Sequence, residues 1–283
     1  MGSRSRFPST TTKTRESDRP MADPLHQFQV TPLPGLDFGE VTLPVVGTVH
    51  LAFTNSHLAM TIAFLLVVGF FQLVTSGAKV VPGRGQAAGE TLFGMIDGVV
   101  ESIIGHDGRK LFPFVFTVFT FILAMNFLGL FLSFTATSQI AVTATFGLLT
   151  IGLVLIIGFA KNGWRFFKLF VPSGVPIPVL LLVVPIEIVS FLLRPITLTL
   201  RLFGNMMGGH VALKVFAGFV ATLGGMAVAG GWGLLGIPGA ALSLGLVTAL
   251  TALEFLVAFL QAFVFAVLTC VYLNDVVNLG EGH

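Results

Sequence analysis

Residues 184–210, VPIEIVSFLLRPITLTLRLFGNMMGGH, place several charged side chains inside an otherwise apolar run. They belong to a longer apolar segment, 176–223, which as one helix would extend about 70 Å at about 1.5 Å per residue. The hydrocarbon core of a bilayer is only about 30 Å thick. Either this segment tilts strongly in a membrane or it holds more than one helix. The same alternatives apply to the second long apolar segment, 238–277.

The composition of the whole chain indicates a polytopic membrane protein. Of its 283 residues, 54% are hydrophobic and only 10% are charged, and the mean hydropathy is +0.95. A soluble domain carries about 25% charged residues, so this chain has too few charges to solvate a globular surface. An ordinary cytosolic enzyme is therefore excluded. The single cysteine, Cys270, gives neither a disulfide framework nor a cysteine metal site.

Three further segments have the length and composition of single membrane helices, namely 57–75, 112–134 and 140–160. Residues 89–105 differ, because their apolar side chains recur at spacings of three and four and their acids take the opposite face. This pattern predicts an amphipathic helix on the membrane surface. We expect an all-α polytopic fold with five membrane helices and one interfacial helix, the last two membrane helices being long and tilted as a hairpin.

The distribution of Lys and Arg predicts the topology. The basic loops lie at 76–90, 109–110 and 161–168, whereas the turns at 135–139 and 224–240 carry no charge. The positive-inside rule then places the basic segments and the C-terminus in the cytoplasm, and residues 21–52 outside. Residues 1–20 are rich in Ser, Thr and Arg and contain no apolar signal segment. We interpret them as a disordered extension or an expression remnant, and residues 21–283 as a single membrane domain.

Polar side chains recur at multiples of seven in both long segments, so each helix carries one polar stripe. The charged and amide members are Glu187, Arg194 and Arg201 in the first segment and Glu254, Gln261 and Asp275 in the second. Folding the segments as a hairpin about the glycine-rich turn pairs residues at equal depth. The pairs are His210 with Glu254, Arg201 with Gln261, and Glu187 with Asp275. Three pairs with nearly one turn centre predict a polar seam between the two helices.

The seam residues differ in what they can do. Charged groups within a membrane mark an ion path or a substrate site, unless they form an internal salt bridge that fixes helix packing. Arg201 keeps its charge and can act as a fixed cation, whereas His210 and Glu254 can relay protons. Arg194 could instead extend toward the membrane surface. Several amides and hydroxyls can hold water by hydrogen bonds, namely Asn126, Thr197, Asn205 and Gln261. The glycines 204, 208 and 209 allow close helix approach, within this chain or by another.

Two motifs resemble the a subunit of F-type ATP synthase. They are RLFGNM at 201–206, with Gly209 and His210 following, and LQAFVF at 260–265, with VYL at 271–273. Residues 185–187 and Asn126 match in place, and MADPLHQF at 21–28 resembles alphaproteobacterial members. The resemblance covers residues 21–283. It implies the stator half of a proton channel, in which one arginine faces the essential carboxylate on each subunit of a rotating ring, and Arg201 matches that arginine.

The resemblance also implies two offset half-channels that lead protons to and from the ring. The expected inlet residues are Asn126, His210, Glu254 and Gln261. The expected outlet residues are Glu187, Thr197, Asn205, Tyr272 and Asp275. In one well-known bacterial version the acid and the histidine of the inlet are exchanged; the arrangement here is similar to that of mitochondrial members.

The implied partners are the c-subunit ring, the b subunits of the peripheral stalk, the other ATP synthase subunits and membrane lipid. No cofactor, metal or nucleic acid is expected, and the chain itself would make no ATP. The implied location is the bacterial inner (plasma) membrane, crossed several times. Two other classes remain as alternatives. A secondary ion-coupled transporter would need an internal repeat, and the sequence shows no convincing one. An intramembrane enzyme would need a nucleophile–base pair or metal ligands in its membrane segments, and the sequence shows neither.

Overall fold

The computed structural model describes residues 32–43, 47–132, 135–171, 176–228 and 236–279. Residues 1–20, which the sequence analysis set apart as an extension, lie outside this part of the chain. The strands are β1 (Pro32–Leu43) and β2 (Gly47–Thr54). The helices are α1 (Asn55–Ser76), α2 (Arg84–Ile104), α3 (Phe112–Phe131), α4 (Ile140–Asn162), α5 (Ile177–Val228) and α6 (Gly236–Val277). Short 3₁₀ turns follow α2, α3 and α4 at His106–Lys110, Ala136–Ser138 and Gly163–Phe170.

Five of these helices are long and apolar enough to cross a membrane: α1, α3, α4 with its 3₁₀ extension, α5 and α6. The predicted all-α membrane fold is confirmed. The amphipathic helix is also present as α2, which buries Ile96, Val100 and Ile104 while Glu90 and Glu101 are exposed. Its apolar face packs mainly against α6, so the surface helix is anchored by the core of the bundle.

Each of the two long segments forms one continuous helix. Helix α5 runs for 52 residues and α6 for 42, and the two pack along each other as the predicted hairpin. Helix α5 continues through Pro185 and Pro195, although a proline inside a helix removes one backbone hydrogen bond. Membrane helices tolerate this where neighbouring groups approach the freed backbone. Close to the second proline, α4 packs tightly against α5 at Gly147, where an added Cβ would come within 2.9 Å of the Pro195 carbonyl oxygen.

An antiparallel β-hairpin precedes α1, and the sequence analysis did not predict it. Leu43 lies opposite Gly47 and Pro32 opposite Thr54, and the hairpin leads directly into α1. Prolines and glycines in β1 interrupt the alternation of polar and apolar residues that marks a strand. The register shifts along the same stretch, between Pro32 and Glu40.

Several elements end together at one end of the bundle. The side-chain amide of Asn162, at the end of α4, donates to the Val276 carbonyl at 2.6 Å. The Asn278 amide donates to the carbonyl of Ile104, at the end of α2, at 3.2 Å. Lys161 pairs with Asp107 at 3.0 Å. The basic segments 109–110 and 161–168 and the end of α6 therefore lie on the same side of the bundle.

Candidate functional site

Arg201 lies near the middle of α5, on an exposed face of the helix. Within the described residues its guanidinium forms no ion pair. The neighbouring exposed residues on the same face are small or uncharged, namely Thr197, Gly204, Asn205 and Gly208. A Cβ added at Gly204 or Gly208 would meet nothing within 4 Å. The cation thus projects from a smooth strip of α5 that the rest of the described chain leaves uncovered.

Behind this strip, α5 and α6 meet at Gln261. The side-chain amide of Gln261 is buried and donates to the backbone carbonyl of Arg201 at 3.0 Å. The prediction that Arg201 and Gln261 lie at one depth is confirmed by this hydrogen bond. Gln261 therefore fixes the backbone that carries the arginine and leaves the guanidinium itself available.

On one side of Arg201 lies a group that we call the His210 cluster: Asn126, Thr135, His210 and Glu254. His210 Nε2 is 2.8 Å from Thr135 Oγ1. The Glu254 carboxylate lies directly against Gly209, where a Cβ would overlap it. Asn126 is fully buried in α3, and its Nδ2 donates to the Ala258 carbonyl, one turn from Glu254, at 3.1 Å. The predicted common depth of His210 and Glu254 is confirmed, although His210 bonds to Thr135 rather than to Glu254.

The His210 cluster includes buried polar atoms with spare hydrogen-bonding capacity. Asn126 Oδ1 and Glu254 Oε2 have no hydrogen-bond partner among the described residues. An unsatisfied polar atom in an apolar interior is costly, and ordered water normally supplies its partner. The cluster is therefore suited to holding water and protons.

On the other side of Arg201 lies the Arg194 cluster, made of Glu187, Arg194, Tyr272 and Asp275. Arg194 Nη1 donates to Asp275 Oδ2 at 2.7 Å, and Nη2 is 3.9 Å from Glu187 Oε1. The guanidinium carbon lies 4.8 Å from the centre of the Tyr272 ring, within the range of a cation–π contact. Glu187 and Asp275 thus share one cation, Arg194, within this cluster.

Arg194 is a packing residue of the α5–α6 hairpin rather than a cation that simply extends toward the membrane surface. Only 17% of its side chain is exposed. Sequence reasoning placed Arg194 on the same stripe as Glu187 and Arg201, but treated extension to the surface as an alternative to pairing. The ion pair with Asp275, on the opposite helix, is the feature that decides between them.

The predicted outlet residues separate into two groups. Glu187, Tyr272 and Asp275 gather around Arg194. Thr197 and Asn205 lie instead on the exposed strip beside Arg201, and the Thr197 hydroxyl donates to its own helix at the Arg194 carbonyl, at 2.9 Å. Of the predicted inlet residues, Asn126, Glu254 and Gln261 lie where α3 or α5 meets α6. His210 instead contacts Thr135, at the start of the 3₁₀ turn that follows α3.

Sequence reasoning missed the contribution of the 3₁₀ turn after α3. Thr135, Thr137 and Ser138 are almost completely buried, and Thr135 reaches His210. The sequence marks this segment only as a polar, uncharged turn. The run of three hydroxyl residues within four positions is the signal that could have indicated a buried polar site.

These features define a class: an all-α, multi-pass membrane protein whose two longest helices hold an exposed arginine between a histidine–carboxylate cluster and an ion-paired cluster. The family model described as "ATP synthase A chain" matches residues 57–274. The chain belongs to the ATP synthase A chain family.

Curated relatives from alphaproteobacteria agree with the family match over nearly the whole chain. ATP synthase subunit a of Rhizobium leguminosarum bv. trifolii is 49% identical over 262 residues, covering 92% of this chain and 99% of the relative. The protein of the same name from Rhodopseudomonas palustris is 49% identical over 263 residues, with the same coverage of both chains. That of Brucella canis is 50% identical over 260 residues, again covering 92% and 99%. The chain is thus a multi-pass membrane protein of bacterial type.

Proposed function

We propose that this chain is the stator subunit of the membrane proton channel of an F-type ATP synthase. It carries protons through two half-channels to and from carboxylates on a c-subunit ring, and so couples proton flow to rotation and ATP synthesis. Each charge that crosses 100 mV supplies about 2.3 kcal/mol. The chain binds no nucleotide in this scheme and needs no cofactor; the ATP is made elsewhere in the complex.

The observation that carries the proposal is the exposed Arg201 without an ion pair in the described chain. Its helix is apolar and long enough to cross a membrane, and a charge in that setting is costly unless a partner or water compensates it. Arg keeps its charge at any accessible pH, so it does not avoid this cost by losing its proton, and an anion is the partner that compensates it most directly. A carboxylate on a neighbouring subunit, approaching the smooth strip around Arg201, is such an anion.

The His210 cluster is the proposed inlet. A proton from outside passes through Asn126, His210, Glu254 and Gln261 to a ring carboxylate, which as a neutral group can then turn into lipid. His and Glu side chains can accept and release protons. The unsatisfied atoms of Asn126 and Glu254 favour water between them.

The proposed outlet consists of the Arg194 cluster and of the exposed strip at Thr197 and Asn205. A ring carboxylate that returns to Arg201 releases its proton because the cation favours its charged form. The proton then leaves past Thr197, Asn205, Tyr272, Asp275 and Glu187. Arg201 also blocks a direct leak between the two paths, since a proton close to a fixed cation meets strong repulsion in a low-dielectric medium.

The proposed location is the bacterial inner membrane, with the C-terminus in the cytoplasm. The end of the bundle that gathers the basic segments also holds the end of α6, and basic segments favour the cytoplasmic side. Other ATP synthase subunits, among them the c-ring and the b subunits of the peripheral stalk, are the proposed partners. A transporter built from two repeats is not favoured, because among the described helices α1 to α4 none matches the length of α5 or α6.

Replacing Arg201 in the assembled complex tests this function. Arg201→Ala should abolish ATP synthesis driven by a proton gradient in reconstituted vesicles, while the amount of assembled complex stays normal. Arg165→Ala is the matched control, because it removes an exposed cation from the 3₁₀ segment 163–170. Normal coupled synthesis by well-assembled Arg201→Ala complexes contradicts the proposal.

A further inference from the structure

The Thr135 hydroxyl lies between the His210 ring and a backbone carbonyl in the last turn of α3. Thr135 Oγ1 lies 2.8 Å from His210 Nε2 and 3.3 Å from the carbonyl oxygen of Gly129. A hydroxyl has one proton to donate and two lone pairs to accept with. The side chain is only 3% exposed, so bulk water does not compete for it.

We propose that Thr135 is a positioning residue that holds His210 in one place in both of its protonation states. When the imidazole carries no proton on Nε2, the Thr135 hydroxyl donates to that nitrogen. When Nε2 is protonated, the ring N–H donates to Thr135 Oγ1, and the hydroxyl proton turns to the Gly129 carbonyl. The same two groups remain bonded in both states, and only the direction of the hydrogen bond reverses.

The Gly129 carbonyl is a suitable resting acceptor for this hydroxyl. Gly129 lies in the last turn of α3, which ends at Phe131, and the last four carbonyls of a helix lack partners within the helix. The absence of a side chain also matters here. A Cβ at Gly129 would come within 2.8 Å of Thr135 Oγ1 and would overlap the Thr135 methyl group. Gly129 therefore leaves room for Thr135, and its carbonyl accepts a hydrogen bond from the Thr135 hydroxyl.

The alternative is that Thr135 only packs the 3₁₀ turn against α5. Thr137, two residues further, provides a direct comparison. It is fully buried in the same turn, but its hydroxyl has no hydrogen-bond partner among the described residues. If burial of a threonine were all that mattered, the two positions would respond alike to the loss of the hydroxyl.

In the part of the chain that the structure describes, Glu254 and Lys214 are ionisable side chains near His210. Glu254, on α6, contacts the adjacent Gly209, and Lys214 lies one turn further along α5. The 3₁₀ turn itself, Ala136–Ser138, contributes no ionisable group. A change in the pH dependence of proton uptake in a Thr135 variant, with Glu254 and Lys214 intact, therefore reports on His210 and its bond to Thr135.

The test is proton uptake by the complete complex in vesicles, measured as a function of external pH. Thr135→Val keeps the shape of the side chain and removes the hydroxyl. We expect this variant to slow proton uptake by about tenfold, which corresponds to the loss of one hydrogen bond from the rate-determining state. We also expect the dependence of the uptake rate on external pH to shift. Thr135→Ser should restore the normal rate and profile. Thr137→Val, the matched control, should behave as the unmodified complex.

Each outcome decides the matter. Normal flux and an unchanged profile in Thr135→Val overturn the proposal, and so does an equal loss in Thr135→Val and Thr135→Ser. If Thr135→Val does not assemble, Thr135→Cys, whose thiol is a weak donor, takes its place with the same expected loss. The inference rests on the proposed inlet, so His210→Ala is measured in parallel. If flux is slow in His210→Ala but normal in Thr135→Val, only the role of Thr135 is rejected. If flux is normal in both His210→Ala and Arg201→Ala, the proposed proton channel is rejected as well.

Discussion

The two polar clusters of the α5–α6 hairpin lie on opposite sides of Arg201 and are built by different means. In the Arg194 cluster, opposite charges pair directly, with Arg194 and Asp275 2.7 Å apart. In the His210 cluster, neutral hydrogen-bonding groups predominate, and two buried oxygens, on Asn126 and Glu254, have no partner among the described residues. A paired charge holds two helices together, whereas spare hydrogen-bonding capacity accommodates water and protons. The first cluster is therefore suited to fixing the hairpin and the second to conducting.

If the Arg194 cluster fixes the hairpin, its loss should have the largest effect on stability. Arg194→Gln leaves Asp275 and Glu187 without their cation, and removing one partner of a buried pair costs about 3–5 kcal/mol. The carboxylate side chains are 28% and 35% exposed, so we expect a smaller loss, about 2–3 kcal/mol. The sole cysteine, Cys270, is fully buried on α6. Its labelling by a maleimide should accelerate roughly 30-fold or more, as the helix opens more often.

A double variant separates the ion pair from general damage. Arg194→Gln combined with Asp275→Asn removes both charges of the 2.7 Å pair and should recover part of the protection of Cys270, because the carboxylate that lost its partner is gone. The stability losses of Arg194→Gln and Asp275→Asn, measured singly and added, predict a labelling rate of Cys270 for the double variant. If the double variant is labelled that fast, the ion pair does not stabilise the hairpin.

The distribution of these clusters along the helices could be predicted from the sequence. Spacing by seven on both helices, together with one glycine-rich turn, determines which residues meet at equal depth. The contacts of Arg201 with Gln261 and of Glu187 and Asp275 with Arg194 agree with that spacing. Helix periodicity carries this information because it depends only on residues within one hairpin.

The close approach of the two helices at the His210 cluster provides a second test. Gly209→Ala places a methyl group where the Glu254 carboxylate lies. Overpacking typically costs about 1–3 kcal/mol. The group that is met here is the end of the flexible Glu254 side chain, so we expect a cost near the lower limit and a smaller effect on stability than that of Arg194→Gln. Its effect on proton flux should be marked, because Glu254 is displaced from the inlet.

Gly218→Ala is the matched control for this variant. It makes the same change on the same helix, with the same gain in helix propensity, but an added Cβ there meets nothing within 4 Å. We expect normal flux in Gly218→Ala. Equal flux in the two variants contradicts the assignment of Gly209 as the contact that positions Glu254.

The sequence could not predict the contacts that depend on turns and chain ends. The bond between Thr135 and His210 joins residues 75 positions apart, and it forms only because a short 3₁₀ turn folds against α5. A contact of this kind leaves no periodic pattern in the sequence from which it could be predicted. The β-hairpin before α1 was missed for a related reason: its strands contain proline and glycine, and its pairing is set by register rather than by composition.

The ion pair of Lys161 and Asp107 is exposed to solvent, and we expect it to stabilise the protein less than the Arg194 pair does. Its length, 3.0 Å, is close to that of the Arg194 pair, but its side chains are 45% and 59% exposed. The hydrogen bond from Lys161, and then its charge, lower the pKa of Asp107 below the ordinary value. Since the folded pKa is lowered, any stabilisation is present at neutral pH and is lost only below about pH 4, as the carboxyl becomes protonated.

Lys161→Gln should therefore have the smallest effect. At neutral pH we expect no measurable change in the rate at which Cys270 is labelled, because water and salt already screen an exposed pair. Well below pH 4 the variant and the unmodified protein should also be indistinguishable, once Asp107 has become neutral in both. Labelling in Lys161→Gln as fast as in Arg194→Gln would show that distance rather than burial decides what an ion pair contributes here, and the contrast between the Arg194 cluster and the protein surface would fail.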